Sequence, residues 1–111
     1  MIAAIRRNRT IDITTTGARS GRPRRIEIWG WPDGDRLYLT GSPGRRDWYA
    51  NLLKNPDFTL HLKRGVQGDV PARARPIEAP EERRPIFERI RPAQADAWTA
   101  GAPLVEVDLS P

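Results

Sequence analysis

Apolar and polar residues alternate along most of this chain. Ile11, Ile13 and Thr15 share one face of a first segment. Ile26 and Ile28 share one face of the next, with Trp29 and Trp31 on the other, and Leu37 and Leu39 follow the turn Pro32-Asp33-Gly34-Asp35. A period of two marks a half-buried strand, and an Asp-Gly turn between two such runs predicts a tight hairpin. Phe58, Leu60 and Leu62 alternate again, then Val66, Gly68, Val70, Ala72 and Ala74 after Arg64-Gly65, and finally Val105, Val107 and Leu109. The pattern predicts about six short strands.

Two segments have helical spacing instead. In Asp47 to Lys54 the apolar residues Trp48, Tyr49, Leu52 and Leu53 form a stripe that Asn55-Pro56 stops. In Pro80 to Arg91, proline suits the first turn, Glu81 and Glu82 suit the positive end of the helix dipole, and Arg89 and Arg91 suit the negative end. Ile86, Phe87 and Ile90 face inward and Pro92 ends the run. Most strand connections are too short for parallel crossovers, so the expected fold is mainly β with two or three helices, a compact barrel of mostly antiparallel strands. With 111 residues and no linker or repeat, residues 1–111 are expected to form one domain. A ligand site must then use a surface groove or a subunit interface.

Composition adds an asymmetry of charge. Net charge is +5, and Arg outnumbers Lys 17 to 2. Residues 1 to 51 hold ten Arg against five acidic residues, whereas the remainder balances nine against nine. A basic patch in the first half implies an anionic partner. There is no cysteine, which excludes disulfides, thiolate metal sites and cysteine nucleophiles. No stretch approaches the roughly 20 apolar residues of a membrane-spanning helix, and Met1 to Thr10, with three arginines, lacks the apolar core of a signal peptide. A cytoplasmic location is the expectation.

The basic residues concentrate in two segments. Thr14-Thr15-Thr16-Gly17-Ala18-Arg19-Ser20-Gly21-Arg22-Pro23-Arg24-Arg25 joins two strands through glycines, hydroxyls and arginines, the donor types that a phosphate or carboxylate chain needs. It is neither a P-loop, since no Gly-Lys-Ser/Thr follows, nor a Rossmann fingerprint, since no helix opens here. Thr40-Gly41-Ser42-Pro43-Gly44-Arg45-Arg46-Asp47-Trp48-Tyr49-Ala50-Asn51-Leu52 is a turn running into a helix, with two arginines beside the helix N-terminus. The aromatics Trp48 and Tyr49 also fit a plain buried helix face.

Taken in order, Thr15-Thr16-Gly17-(x)2-Ser20-Gly21-(x)-Pro23-Arg24, Gly41-Ser42-(x)-Gly44, Trp48-Tyr49-(x)-Asn51-Leu52 and Asn55-Pro56 resemble the deazaflavin (F420)-dependent nitroreductase family, over about residues 10 to 75. That resemblance implies a split β-barrel of the FMN-binding, pyridoxamine phosphate oxidase-like kind, with coenzyme F420 lying across it, and a homodimer. It implies that Arg19, Ser20 and Arg24 bind the cofactor's anionic tail and that Ile28 and Trp29 flank its ring. Thr40, Gly41, Ser42, Pro43, Gly44, Arg45, Arg46, Trp48, Tyr49 and Asn51 would complete the pocket. It also departs from the family: Ala18 stands where a basic residue is frequent and Pro43 where lysine is frequent, with Arg45 and Arg46 able to restore the charge. In the C-terminal region only Trp98 stands where tyrosines supply a relative's substrate pocket.

The implied activity is hydride transfer from reduced F420 to an electron-poor small molecule such as a quinone, an enone or a nitroaromatic, with Tyr49 or Ser42 donating a hydrogen bond near the reacting atoms. The cofactor would carry the chemistry, which accords with the lack of paired catalytic carboxylates. Two other readings stand beside it: an FMN-binding oxidoreductase on the same barrel, and a non-catalytic basic barrel binding a ligand or nucleic acid through Trp29, Trp31, Trp48 and Tyr49. No nucleic-acid motif appears, so nucleic acid is not the expected partner. His61, the lone histidine, has no ligand pattern around it, so no metal site is expected; alternation puts it on the solvent or cofactor side of its strand.

Overall fold

The structure is a computed structural model that describes residues 5, 9–63 and 67–109. Six strands close into a barrel: β1 (Thr10–Thr16), β2 (Pro23–Asp33), β3 (Arg36–Thr40), β4 (Asp57–Leu62), β5 (Gly68–Pro76) and β6 (Leu104–Asp108). Their order around the barrel is β1-β2-β3-β6-β5-β4, and every neighbouring pair is antiparallel. The Arg64-Gly65 turn and the strand start at Val66 lie outside the described residues.

Alternation explains the interior. Ile11 and Ile13 of β1, Leu37 and Leu39 of β3, Phe58 and Leu60 of β4, Ala72 and Ala74 of β5, and Val105 and Val107 of β6 fill the barrel. Helix α1 (Asp47–Lys54) contributes Trp48 and Leu52 to the same core. Ile26 and Ile28 of β2 join this core only partly buried. Gly30 continues their row, because a Cβ there would lie 2.9 Å from the Ile5 side chain and 3.3 Å from Leu37. Only glycine leaves room for Ile5, which is wholly buried.

A second core lies outside the barrel wall. Tyr38 and Leu104, on the outer faces of β3 and β6, pack with Ile77, with Ile86 and Phe87 of α2 (Pro80–Ile90), and with Ala95, Trp98 and Ala102 around α3 (Ala95–Gly101). A 3-10 turn, Pro92–Gln94, joins the two helices. Helix α3 has no apolar stripe long enough to be read from the sequence; Ala95 and Trp98 are one turn apart and bury that single face. No helix of the described residues is long and apolar enough to cross a membrane.

The outer face of β1 carries an ion network. Asp12 accepts from Arg25 at 2.9 Å and pairs with Lys63 at 2.8 Å, and Lys63 also contacts Glu27. The hydrogen bond from Lys63, aided by Arg25, holds the Asp12 carboxyl below its ordinary pKa of 3.8 against a partial burial that raises it. A carboxylate with a depressed folded pKa adds stability that is complete above its unfolded value and is lost as pH falls through the folded one. Asp12→Asn should therefore lower stability at neutral pH and flatten its fall below about pH 5, as read from urea unfolding at pH 7, 5, 4 and 3.

His61 is on the expected side of its strand but is buried there. It is 7% exposed, with Nε2 2.7 Å from Thr14 Oγ1 and Nδ1 2.7 Å from Asp69 Oδ1. Its side chain is on the outer side of the barrel, as alternation implies, but the Thr14 and Asp69 side chains on the neighbouring strands cover it. Thus it is buried and does not face solvent.

Candidate functional site: a cationic groove

The loop between β1 and β2 is closed by its own backbone. Gly17 N–H donates to Arg22 O at 2.8 Å, Gly21 N–H to Gly17 O at 3.0 Å, and Arg22 N–H to Ser20 Oγ at 3.1 Å. A Cβ on Gly17 would come within 2.4 Å of Ser20 Oγ and 3.3 Å of the Arg22 carbonyl, so this tight closure requires glycine there. Helix α1 meets the loop through Asn51, whose Oδ1 accepts from Ala18 N–H at 2.8 Å and whose Nδ2 donates to Thr15 Oγ1 at 3.0 Å.

Loop and helix together form a groove of about 330 Å³, lined by Gly17, Ala18, Arg19, Ser20 and Arg24 on one side and Arg45, Asp47, Ala50 and Asn51 on the other. The two basic segments of the sequence thus converge on one place. Among the described residues none of the Arg19, Arg24 and Arg45 guanidiniums makes an ion pair, and against the single Asp47 carboxylate they leave the groove net positive. Unpaired guanidinium forks beside a hydroxyl are the donor set for phosphate or carboxylate oxygens.

Arg46, adjacent in sequence to Arg45, does something different. Its Nη2 donates to Ser42 O at 3.1 Å and its Nη1 to Arg45 O at 3.2 Å, so it staples the turn that precedes α1. Gly44 N–H donates to Gly101 O at 3.3 Å, and Pro43 lies against Gly101, so this turn rests on the end of α3. The Thr40 hydroxyl is buried and donates to Pro103 O at 2.5 Å. Of this turn, Thr40, Gly41, Ser42, Pro43, Gly44 and Arg46 do not line the groove.

Other residues expected at the site are dispersed. Trp48 is 8% exposed and belongs to the barrel core, edge-on to Tyr49 at 5.9 Å between ring centroids. Tyr49 faces a different cavity, about 460 Å³, shared with Glu78, Arg83 and Thr99. Burial and then Glu78 push the Tyr49 phenol above its ordinary pKa, against the opposing Arg83, so it remains protonated at neutral pH. Ile28 and Trp29, both expected at the ring, point to opposite faces of β2: Ile28 into the barrel, Trp29 outward and 54% exposed. Trp29 lies 5.9 Å from Trp31, over which the guanidiniums of Arg9 and Arg91 each stack at 5.2 Å. The sequence reading missed Asp47 and Ala50 as groove residues; their one readable signal was their place in the first turn of the helix beside Arg45.

A six-stranded antiparallel barrel with helices against one wall defines the class, a split barrel of the pyridoxamine phosphate oxidase-like type. More particularly, the chain belongs to the F420H2-dependent quinone reductase family, whose sequence model matches residues 4–106, and it is an oxidoreductase. Solved structures agree in fold. A protein described as an F420-H2 dependent reductase, FDR-A, superposes with a TM-score of 0.65 at 22% identity, covering 91% of this chain and 95% of its own. A Listeria innocua protein provisionally assigned as a pyridoxamine 5′-phosphate oxidase gives 0.71 at 13% identity, with 99% and 90% covered. A chain described as a domain-swapped dimer gives 0.63 at 24% identity, with 91% and 81% covered.

Proposed function

We propose that this protein is a reductase that uses reduced F420 to transfer a hydride to an electron-poor small molecule, a quinone, an enone or a nitroaromatic. The observation that carries the reading is the groove in which Arg19, Arg24 and Arg45 meet with no ion pair among the described residues, in a chain of this family. The residues fit an anionic cofactor tail. Arg19 and Arg45 supply paired N–H donors from opposite walls, Arg24 adds a third fork from β2, and Ser20 adds a hydroxyl. The cofactor supplies the hydride. The chain's own part is to bind the tail and to position the remainder along the barrel. Ser42, at the turn before α1, and the protonated Tyr49 phenol, which faces the cavity beside Arg83, are the hydroxyls proposed to donate to an acceptor oxygen.

Titration with F420, FMN and NADPH, followed by quinone reduction with whichever binds, tests this directly. Saturable F420 binding with turnover supports the reading; FMN binding in its place would move the protein to the flavin branch of the same barrels, and binding of none would discard it. The assembly is proposed to be a homodimer, with the domain-swapped neighbour as support. Sedimentation should then give twice the 12.6 kDa chain mass.

A further inference from the structure

Asn51 stands out among the groove residues because its amide is already committed to the protein. It is 8% exposed, its oxygen takes the Ala18 N–H, and its nitrogen donates to Thr15 Oγ1, itself 2% exposed. Ala18 begins the anion-facing half of the loop, and Arg19 and Ser20 follow it directly. Asn51 belongs to the opposite wall, on α1. We propose that Asn51 is a positioning residue, a latch that ties the arginine loop to helix α1 so that Arg19 and Ser20 meet an anionic ligand in a loop already in place.

The physical argument concerns ordering. A loop that binds anions through long side chains loses freedom when it binds, and that loss subtracts from affinity. Here the backbone bonds of Gly17, Gly21 and Arg22 close the loop on itself, but they do not fix it relative to helix α1, which carries Asp47 and follows the turn that holds Arg45. The Asn51 amide does so from both ends, one bond to the loop and one to the end of strand β1. It also occupies the Ala18 N–H, so this amide is not offered to the ligand and recognition falls to the guanidiniums. The inference rests on the groove being an anion site, though not on which anion fills it.

The test titrates wild type, Asn51→Ala and Asn51→Asp with pyrophosphate and separately with F420, at low and high salt. Asn51→Ala should weaken both ligands about tenfold or more, equivalent to ordering one loop segment on binding. Asn51→Asp keeps an acceptor for Ala18 N–H, and the Thr15 hydroxyl can turn to donate. Its deficit then comes from the added negative charge beside three arginines and should shrink at high salt, whereas that of Asn51→Ala should persist. In double-mutant cycles Asn51→Ala should couple with Arg19→Ala and be additive with Arg45→Ala, a selectivity that a general loss of folding would not produce. Hydrogen exchange should show faster exchange at the Ala18 amide with the barrel strands unchanged. If Asn51→Ala does not fold, the salt response of Asn51→Asp and its coupling to Arg19 decide the matter. Binding that both variants leave unchanged, or improve, overturns the latch alone; wild type that binds neither anion overturns the groove reading and the latch with it.

Discussion

Replacing Arg83 with leucine is expected to cost about 3–5 kcal/mol, the largest stability loss of any single charged side chain described here. Arg83 is 6% exposed, and its guanidinium is held entirely by main-chain carbonyls: Nε donates to Thr99 O at 2.9 Å, Nη1 to Ile77 O at 2.8 Å, and Nη2 to Trp98 O at 2.9 Å and to Ala102 O. These carbonyls come from the end of α3 and from the strap between β5 and α2, so one side chain binds α2 to both. Phe87 lies under the same guanidinium at 5.5 Å. Burial pulls the Arg83 pKa below its ordinary value, opposed by Tyr49 and Glu78, but an arginine stays charged at any physiological pH. Leucine would fill the volume and remove a donor from each carbonyl; Trp98 O keeps the Ala102 N–H at 2.9 Å, and each of the other three that is left without a donor costs about 1–3 kcal/mol where water cannot reach it. For a domain of this size a loss of that order lowers the midpoint of thermal unfolding by roughly 15 °C or more. Arg83→Lys should recover only part, because one compact ammonium cannot span carbonyls spread over the end of a helix. A midpoint within a few degrees of wild type for Arg83→Leu would show that the carbonyls find other donors.

That side chain also shows where reading the sequence reaches its limit. Strand positions are legible because alternation depends only on whether successive side chains face core or water, and Ile11, Ile13, Leu37, Leu39, Phe58 and Leu60 obey it. Arg83, between Glu82 and Arg84, reads as one more solvated charge on the polar face of a helix. Its burial depends on α3 folding back over α2, which no local pattern encodes. The same holds for Arg45 and Arg46. As neighbours before a helix they are equivalent in sequence, yet the turn sends Arg45 into the groove and bends Arg46 back onto the Ser42 carbonyl. Trp48 and Tyr49 likewise divide, one into the barrel and one toward the Arg83 cavity. What was legible of the site was its charge and its two segments; what was not was which way each member of an adjacent pair turns.

The division within those pairs makes the second large effect specific. Arg19→Ala with Arg24→Ala should weaken F420 binding roughly hundredfold, about tenfold for each charge-assisted contact removed, the lower end of the range because both side chains are exposed. Arg45→Ala should act like either single change. Arg46→Ala should do less to affinity, since its guanidinium serves the turn. Arg25→Ala provides the control: it removes the same unit of charge, but Arg25 lies outside the groove and is paired with Asp12 at 2.9 Å, so binding should stay within about twofold once salt screens distant charges. The salt dependence of binding should be shallower in the Arg19/Arg24 double variant than in wild type and unchanged in Arg25→Ala, because only contacting charges are neutralised by the ligand. Turnover with F420 at saturation should be little altered, because the role proposed for these arginines is to hold the tail and not the reacting atoms. Equal losses from Arg25→Ala and from the groove arginines would mean that net charge, and not the groove, attracts the ligand; no loss from the double variant would place the cofactor elsewhere on the barrel.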